Sequence, residues 1–360
     1  MKRLKILTLC SVLFTITIFF FKKRNPTTIA EGKGLVIKKD WLKINKAPVT
    51  PMKDVRPADQ TFLTFPEWYL VFSPEEQANY FKSHTATEFP FMSHTAQIWQ
   101  SYKIVNDQIK DNFPTNTGYH FMIWVIGTSA SAEYAVKAWY ETIVGRVTDT
   151  KAVVTDEDKF NARFTEDYVK LIKDKPWYEY DFKKELGTLW TTTSFFGGHF
   201  LRKMDRKYIL TSELLVKTVY GKLIKLGTKS VYEDPLPTTV VLADSIKQQN
   251  GLSIIKRFPD GSALISLPRY DKFNAAICSL AKDGVVFKEI AGNNSAILVT
   301  VLASSSNHIF FQNAQIVFSQ PFASDAGMKR IAIAVMVDQL HNLLNQLSGD
   351  KIIVEHVFDY

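Results

Sequence analysis

The chain has 360 residues, 46% of them hydrophobic and 22% charged, which excludes a disordered polymer, and its two cysteines exclude a disulfide-held miniature. Forty-four basic residues against 36 acidic ones give a formal charge of +8, modest for this length, so no nucleic-acid partner is expected. A mean hydropathy of −0.07, with one long uncharged run, excludes a polytopic transporter.

That run opens the chain. Lys2, Arg3 and Lys5 precede it, residues 6–21 carry no charge, and Lys22, Lys23 and Arg24 close it. Phe19, Phe20 and Phe21 run straight into those charges, where a cleaved signal peptide needs small residues, so residues 1–24 read as a retained single-pass membrane anchor in contact with lipid through 6–21. Sixteen residues rise about 24 Å, short of a hydrocarbon core of about 30 Å, and snorkelling lysines cover the gap. Cys10 does not fit a lipidation site, because Leu9 stands where a small residue is needed. An early apolar segment with a short basic tip acts as an export signal, favouring an extracytoplasmic body in a bacterial envelope. The larger basic flank after the run, with Lys33, Lys38 and Lys39, argues for the opposite topology, a body on the cytoplasmic face.

Residues 25–60 show no sustained period and carry Pro48, Pro51 and Pro57, the pattern of a stalk or wrapping arm. All seven tryptophans lie in the first 190 residues, so composition divides the rest into an aromatic-rich helical domain, 61–234, and a second domain, 238–360. In the helical part, Ser73-Pro74-Glu75-Glu76 has the capping-box form and predicts a helix start. Helices follow over 91–110 and 118–144. The second of these begins with fifteen uncharged residues, a candidate for membrane embedding, but Glu133, Lys137 and Glu141 then form an i, i+4 ladder that reads as a solvated stripe. Thr155 caps a helix over 156–173 with Phe160, Phe164 and Tyr168 on one stripe, and a longer helix over 201–228 repeats apolar residues at Leu201, Met204, Tyr208, Leu215, Val219 and Leu223. Between them, residues 186–201 lack Asp, Glu, Lys and Arg. They read as a buried connection; the alternative rests them on the bilayer, with Arg202, Lys203, Arg206 and Lys207 on anionic headgroups.

The second domain switches to strand signals. Residues 252–258 and 262–267 flank Pro259-Asp260-Gly261, a hairpin turn. A slide of 67 residues (340 − 273) lays Phe273, Ala276, Ile277 and Leu280 on Leu340, Leu343, Leu344 and Leu347, both at i, i+3, i+4, i+7 spacing, and aligns the flanking strands. A strand–helix–strand pseudo-repeat with right-handed crossovers predicts one sheet with both helices on one face, a ferredoxin-like α/β sandwich extended by strands at 295–302 and 315–318. The expected class of the whole is α+β.

For chemistry, the dinucleotide, P-loop, hydrolase-elbow and zincin motifs are missing from the sequence, and no cofactor is expected. His84, Glu88 and His94 cluster around two copies of Ser-His-Thr-Ala, and His84 and Glu88 stand at i, i+4; Pro90 interrupts them, so no metal site is dictated. With Glu67 they are the candidate acid–base residues. Two Pro-aromatic clusters could line a ligand groove, making Trp68, Tyr69, Trp177 and Tyr178 candidate binding residues beside Arg202 and Lys203. The function expected is that of a membrane-anchored binding or scaffolding protein, with a protein partner or anionic headgroups; the alternative is a membrane-anchored hydrolase or other enzyme using the His/Glu cluster.

Overall fold

A computed structural model describes residues 36–360 apart from 45, 150–152, 229–236, 247–252, 308, 312, 351 and 360, so the anchor expected at 1–24 lies outside the described residues. The class is α+β, helices together with two antiparallel four-stranded sheets. Among the described residues no helix is long and apolar enough to cross a membrane.

The helices are α1 (Gln60–Tyr80), α2 (Phe91–Ile109), α3 (Thr117–Tyr140, prolonged by a π turn at Glu141–Gly145), α4 (Asp156–Ile172), α5 (Phe182–Thr192) and α6 (Phe200–Thr228). The helix start expected at Ser73 is absent: α1 runs through both Pro66 and Pro74. Each proline forfeits a backbone N–H donor. Burial of Phe62, Leu63, Phe65, Tyr69 and Phe72, none more than 3% exposed, outweighs that local signal. At α4 local and tertiary signals agree: Thr155 Oγ1 accepts from the Asp158 N–H, and the Asp158 carboxylate accepts from the Thr155 N–H at 3.0 Å.

The chain divides into two compact units. The first takes Trp68–Ala96 and then residues 124–228. The second takes 36–67, Gln97–Ile123 and 237–359, so α1, α2 and α3 each change unit partway along.

In the second unit the strands are β1 (Thr238–Asp244), β2 (Ser253–Arg257), β3 (Ala263–Pro268), β4 (Val286–Ile290), β5 (Ala296–Ser304), β6 (Ala314–Pro321), β7 (Met328–Met336) and β8 (Ile353–Val357). Helix α7 (Asp271–Lys282) joins β3 to β4, and α8 (Leu340–Gly349) lies between β7 and β8. Instead of the single sheet expected, there are two, ordered β2-β3-β1-β4 and β6-β7-β5-β8. The reason is the first strand of each copy, β1 or β5, which pairs antiparallel with both the third and the fourth strand and so closes each copy into its own sheet. The repeat is therefore longer than the helix pattern suggests: three strands, a helix and a strand. Even the register breaks correspond, at Leu242/Ala243 and Thr300/Val301 on the first strands, and at Ile254/Lys256 and Ile316/Phe318 on the second.

Both helices drive their apolar stripes into one core shared by the two sheets, where Phe273, Ile277, Leu280, Leu340 and Leu347 meet Ile265, Phe287, Val299 and Ile333. Residues 36–59 also belong to this unit. Ile37 and Leu42 are buried, the Ile37 N–H donates to Gln108 Oε1, and the Val49 and Thr50 N–H groups donate to the Glu289 carboxylate. Gly292, at φ +78°, lets Val55 approach: a Cβ there would stand 2.8 Å from a Val55 methyl.

Candidate functional site

In the first unit, His94 on the first turn of α2 is fully buried. Its Nδ1 lies 2.8 Å from Ser73 Oγ and 3.3 Å from the Tyr69 hydroxyl, while its Nε2 faces the Glu76 carboxylate at 3.6 Å. Ser73 Oγ also bonds the Tyr134 hydroxyl at 2.7 Å, which accepts from Gln77 Nε2 at 2.7 Å. Positions 69, 73, 76 and 77 fall on one arc of α1, so a continuous helix brings them together, whereas a helix starting at Ser73 does not. Hydroxyl, imidazole and carboxylate meet here as they do in acyl-transfer sites. Access distinguishes this cluster from such a site: Ser73 is 1% and Glu76 5% exposed, and Phe89 stacks on the imidazole at 4.7 Å.

The other acid–base candidates do not join His94. His84 is exposed, stacked on Tyr80 at 4.4 Å with Nδ1 at 2.9 Å from Ser83 Oγ, and Glu88 is exposed on a short 3-10 turn. No group of three or more His, Cys, Asp or Glu side chains suited to a metal ion forms among the described residues. Glu67 belongs to the second unit. The Tyr119 hydroxyl donates to its carboxylate, and burial pushes that carboxyl above the usual range, only partly offset by Tyr119 and Arg269. Arg269 is itself held by Asp359, Nε to Oδ2 at 2.7 Å.

The binding candidates are committed to packing. Trp68 lies against Phe72, and Tyr69 is buried beside His94. Trp177 stacks on Tyr220 at 5.4 Å and meets Tyr178 edge-on, above the cluster of Phe160, Phe164, Phe182, Leu189, Leu210 and Leu214. Arg202 is 3% exposed, donating to Asp158 Oδ1 and Thr87 Oγ1, both at 3.0 Å. Arg206 forks onto Glu141 at 2.6 and 2.9 Å, and Lys207 donates to the Thr193 carbonyl. Three of the four cations of that basic run turn inward, but the connection over 186–201, expected to be buried, is largely exposed, with Trp190 at 51%, Phe196 at 76% and Leu201 at 71%, because the helix it feeds turns its apolar stripe outward. Lys203, half-buried, donates to Ser194 Oγ and the Phe196 carbonyl.

The Glu133–Lys137–Glu141 ladder is not the solvated stripe expected: Lys137 and Glu141 are largely buried, and Glu133, 35% exposed, sits at the margin. Lys137 bridges Glu133 and Glu213 at 2.9 and 2.8 Å, and Lys217 bridges the same pair at 3.1 and 2.8 Å. Burial opposes every one of these charges, yet the attraction between them wins, holding the Glu133 and Glu213 carboxyls below the usual range and the Lys217 ammonium well above its own. All the carboxylates of α3, its π turn and α6, namely Glu133, Glu141, Asp205 and Glu213, are paired with cations in this way. The apolar stripe of α6 faces outward: Leu201 is 71%, Tyr208 65% and Val219 59% exposed. Periodicity locates two arcs on a helix but does not say which is interior, and here mutual neutralisation lets the charged arc take the inside. Glu213 and Lys217, at i, i+4 and out of phase with the apolar repeat, are the sequence signal that points to this arrangement.

No protein-family model, no curated protein and no solved structure matches this chain.

Proposed function

We propose that the chain is a membrane-anchored binding or scaffolding protein, tied to the bilayer by residues 6–21, with its body outside the cytoplasm of a bacterial cell. The observation that carries the binding reading is the exposed apolar surface of α3 and α6, set against acid–base candidates that are either exposed, as His84 and Glu88 are, or held by a neighbour, as His94 is by Glu76 and Glu67 by Tyr119. Topology is tested on Cys278, the only cysteine outside the apolar run. Partial burial holds its thiol above the usual range, so labelling is done under mild unfolding. A membrane-impermeant maleimide is expected to reach it with the inner membrane intact; labelling only after lysis overturns the exported body.

One observation favours the enzymatic alternative, the meeting of Ser73, His94 and Glu76. An activated serine reacts with a fluorophosphonate probe. The full chain is expected to stay unlabelled, because Ser73 is sealed and shares its oxygen with Tyr134; labelling that disappears in Ser73→Ala makes the protein a hydrolase.

A further inference from the structure

We infer that the apolar stripes of α3 and α6 seat the helical unit on the surface of an anionic lipid bilayer, its axes lying along the membrane plane; this rests on the anchored reading above. On α6 the stripe runs from Leu201 through Met204, Tyr208, Leu215 and Val219 to Leu223, every one between 41% and 71% exposed. These 22 steps cover about 33 Å. On α3 and its extension, Val136, Trp139, Ile143 and Val147 are 49% to 71% exposed. The two helices run antiparallel, as the pairs Glu133–Lys217, Lys137–Glu213 and Glu141–Arg206 require. Scattered exposed leucines need no explanation, but two neighbouring stripes of this length do.

Charge, chemistry and tether all point to lipid as the occupant. Every carboxylate of the two helices is neutralised by a cation, three of them largely buried and Glu133 35% exposed but held by both Lys137 and Lys217, while Arg146 and Lys222 are exposed and unmatched by any exposed carboxylate on the same helices. That combination attracts an anionic surface and carries no unneutralised charge that one would repel. Trp139, Trp190 and Tyr208, each more than half exposed, are side chains whose apolar rings and polar tips suit the headgroup boundary. The tether is short: the fourteen residues 22–35 between the apolar run and the first described residue reach at most about 50 Å when fully extended, so the point where the chain enters its folded part, in the second unit, stays within that reach of the membrane. Since neither helix is apolar enough to cross, a stripe with an inward charged face sinks only about 5–10 Å, the depth of an interfacial helix.

Spin labels on the full chain test this. In a background of Cys10→Ser and Cys278→Ser, a nitroxide is placed at Val219→Cys or Val136→Cys on the stripes, or at Ile255→Cys, an exposed position in the second unit, as the water reference. The protein is reconstituted in vesicles of phosphatidylcholine and phosphatidylglycerol, and collisions with oxygen, enriched in lipid, are compared with those of a nickel chelate confined to water. Both stripe labels are expected to show an oxygen-to-nickel ratio at least fivefold above that of Ile255. A ratio equal to the reference, with the chain still on the vesicles after a carbonate wash, overturns the seated stripe and leaves the anchor standing. Shielding from both reagents overturns it in favour of a protein surface: spin broadening that fades on dilution with unlabelled chain identifies a second copy, and its absence a different partner or residues 6–21 folded back. A chain that washes off the vesicles refutes the anchored reading itself.

Discussion

Replacing Arg206 with methionine keeps most of the side-chain volume and removes the guanidinium that neutralises Glu141 at one end of the α3–α6 pairing. Arg206 is 2% exposed; it donates to both oxygens of Glu141 and to Asp205, whose side chains are 6% and 2% exposed. Asp205 keeps Arg202 at 3.4 Å and the Thr148 hydroxyl, but Glu141 loses its cation while remaining buried. Deleting one partner of a buried pair costs about 3–5 kcal/mol, a fifth or more of the roughly 5–15 kcal/mol that holds a typical domain together. If the cost comes from the stranded Glu141 charge, Arg206→Met combined with Glu141→Gln recovers a large share of it, with a coupling of about 2–3 kcal/mol between the two positions. Urea unfolding of the full chain in detergent micelles, followed by tryptophan fluorescence, measures all four corners of the cycle. A single-variant cost below about 1 kcal/mol without coupling is the behaviour of a hydrated surface pair, and it would refute the claim that α3 and α6 hold their charges inside.

Two further outcomes follow from the second unit. The Glu67 carboxyl is raised in the folded protein above its value of 4.5 in an unfolded chain, so the folded state binds that proton more tightly and the wild type loses stability as pH climbs from the unfolded value through the folded one. Glu67→Gln abolishes that loss, and its urea midpoint is expected to exceed the wild type's at pH 8 and to converge with it toward pH 4; a difference independent of pH defeats the assignment. Leu280→Ala and Leu347→Ala, equivalent positions 3% and 0% exposed in one core, are each expected to cost about 2–5 kcal/mol in the same unfolding measurement, and a near-zero cost at either detaches that helix from the core.

The elements that were legible in the sequence are those whose local and tertiary signals agree. Thr155 caps α4, the stripes of α7 and α8 are periodic and buried, and the Asp260-Gly261 turn closes the β2–β3 hairpin, where Gly261 takes φ +87°. The sequence is ambiguous where one local pattern admits two tertiary outcomes. Ser73-Pro74-Glu75-Glu76 is a good helix start in isolation, yet with Phe72 and Tyr69 buried ahead of it the helix has no reason to begin there. The charged arcs of α3 and α6 look solvated because single charges belong in water; only the pairing of Lys137 and Lys217 with Glu133 and Glu213, residues as far as 84 positions apart (217 − 133), makes the interior tolerable. The meeting of Ser73, Glu76 and His94 was hidden for the same reason: it depends on which face α1 turns to α2, and no spacing within either segment states that.

The matched register breaks of the two sheets carry a consequence of their own. A bulge is tied to the local bend of a strand, and its appearance at corresponding strand pairs in both copies means that one backbone plan has been written twice, down to its irregularities. Each copy leaves one face of its sheet and the stripe of its helix for the other to cover, since the core is common to both. Such a domain is built as two like halves within one chain, each completing the other's core. Because the two halves are joined covalently, a substitution in one is not obliged to appear in the other, and each outer face can differ while the shared interior stays under a single constraint.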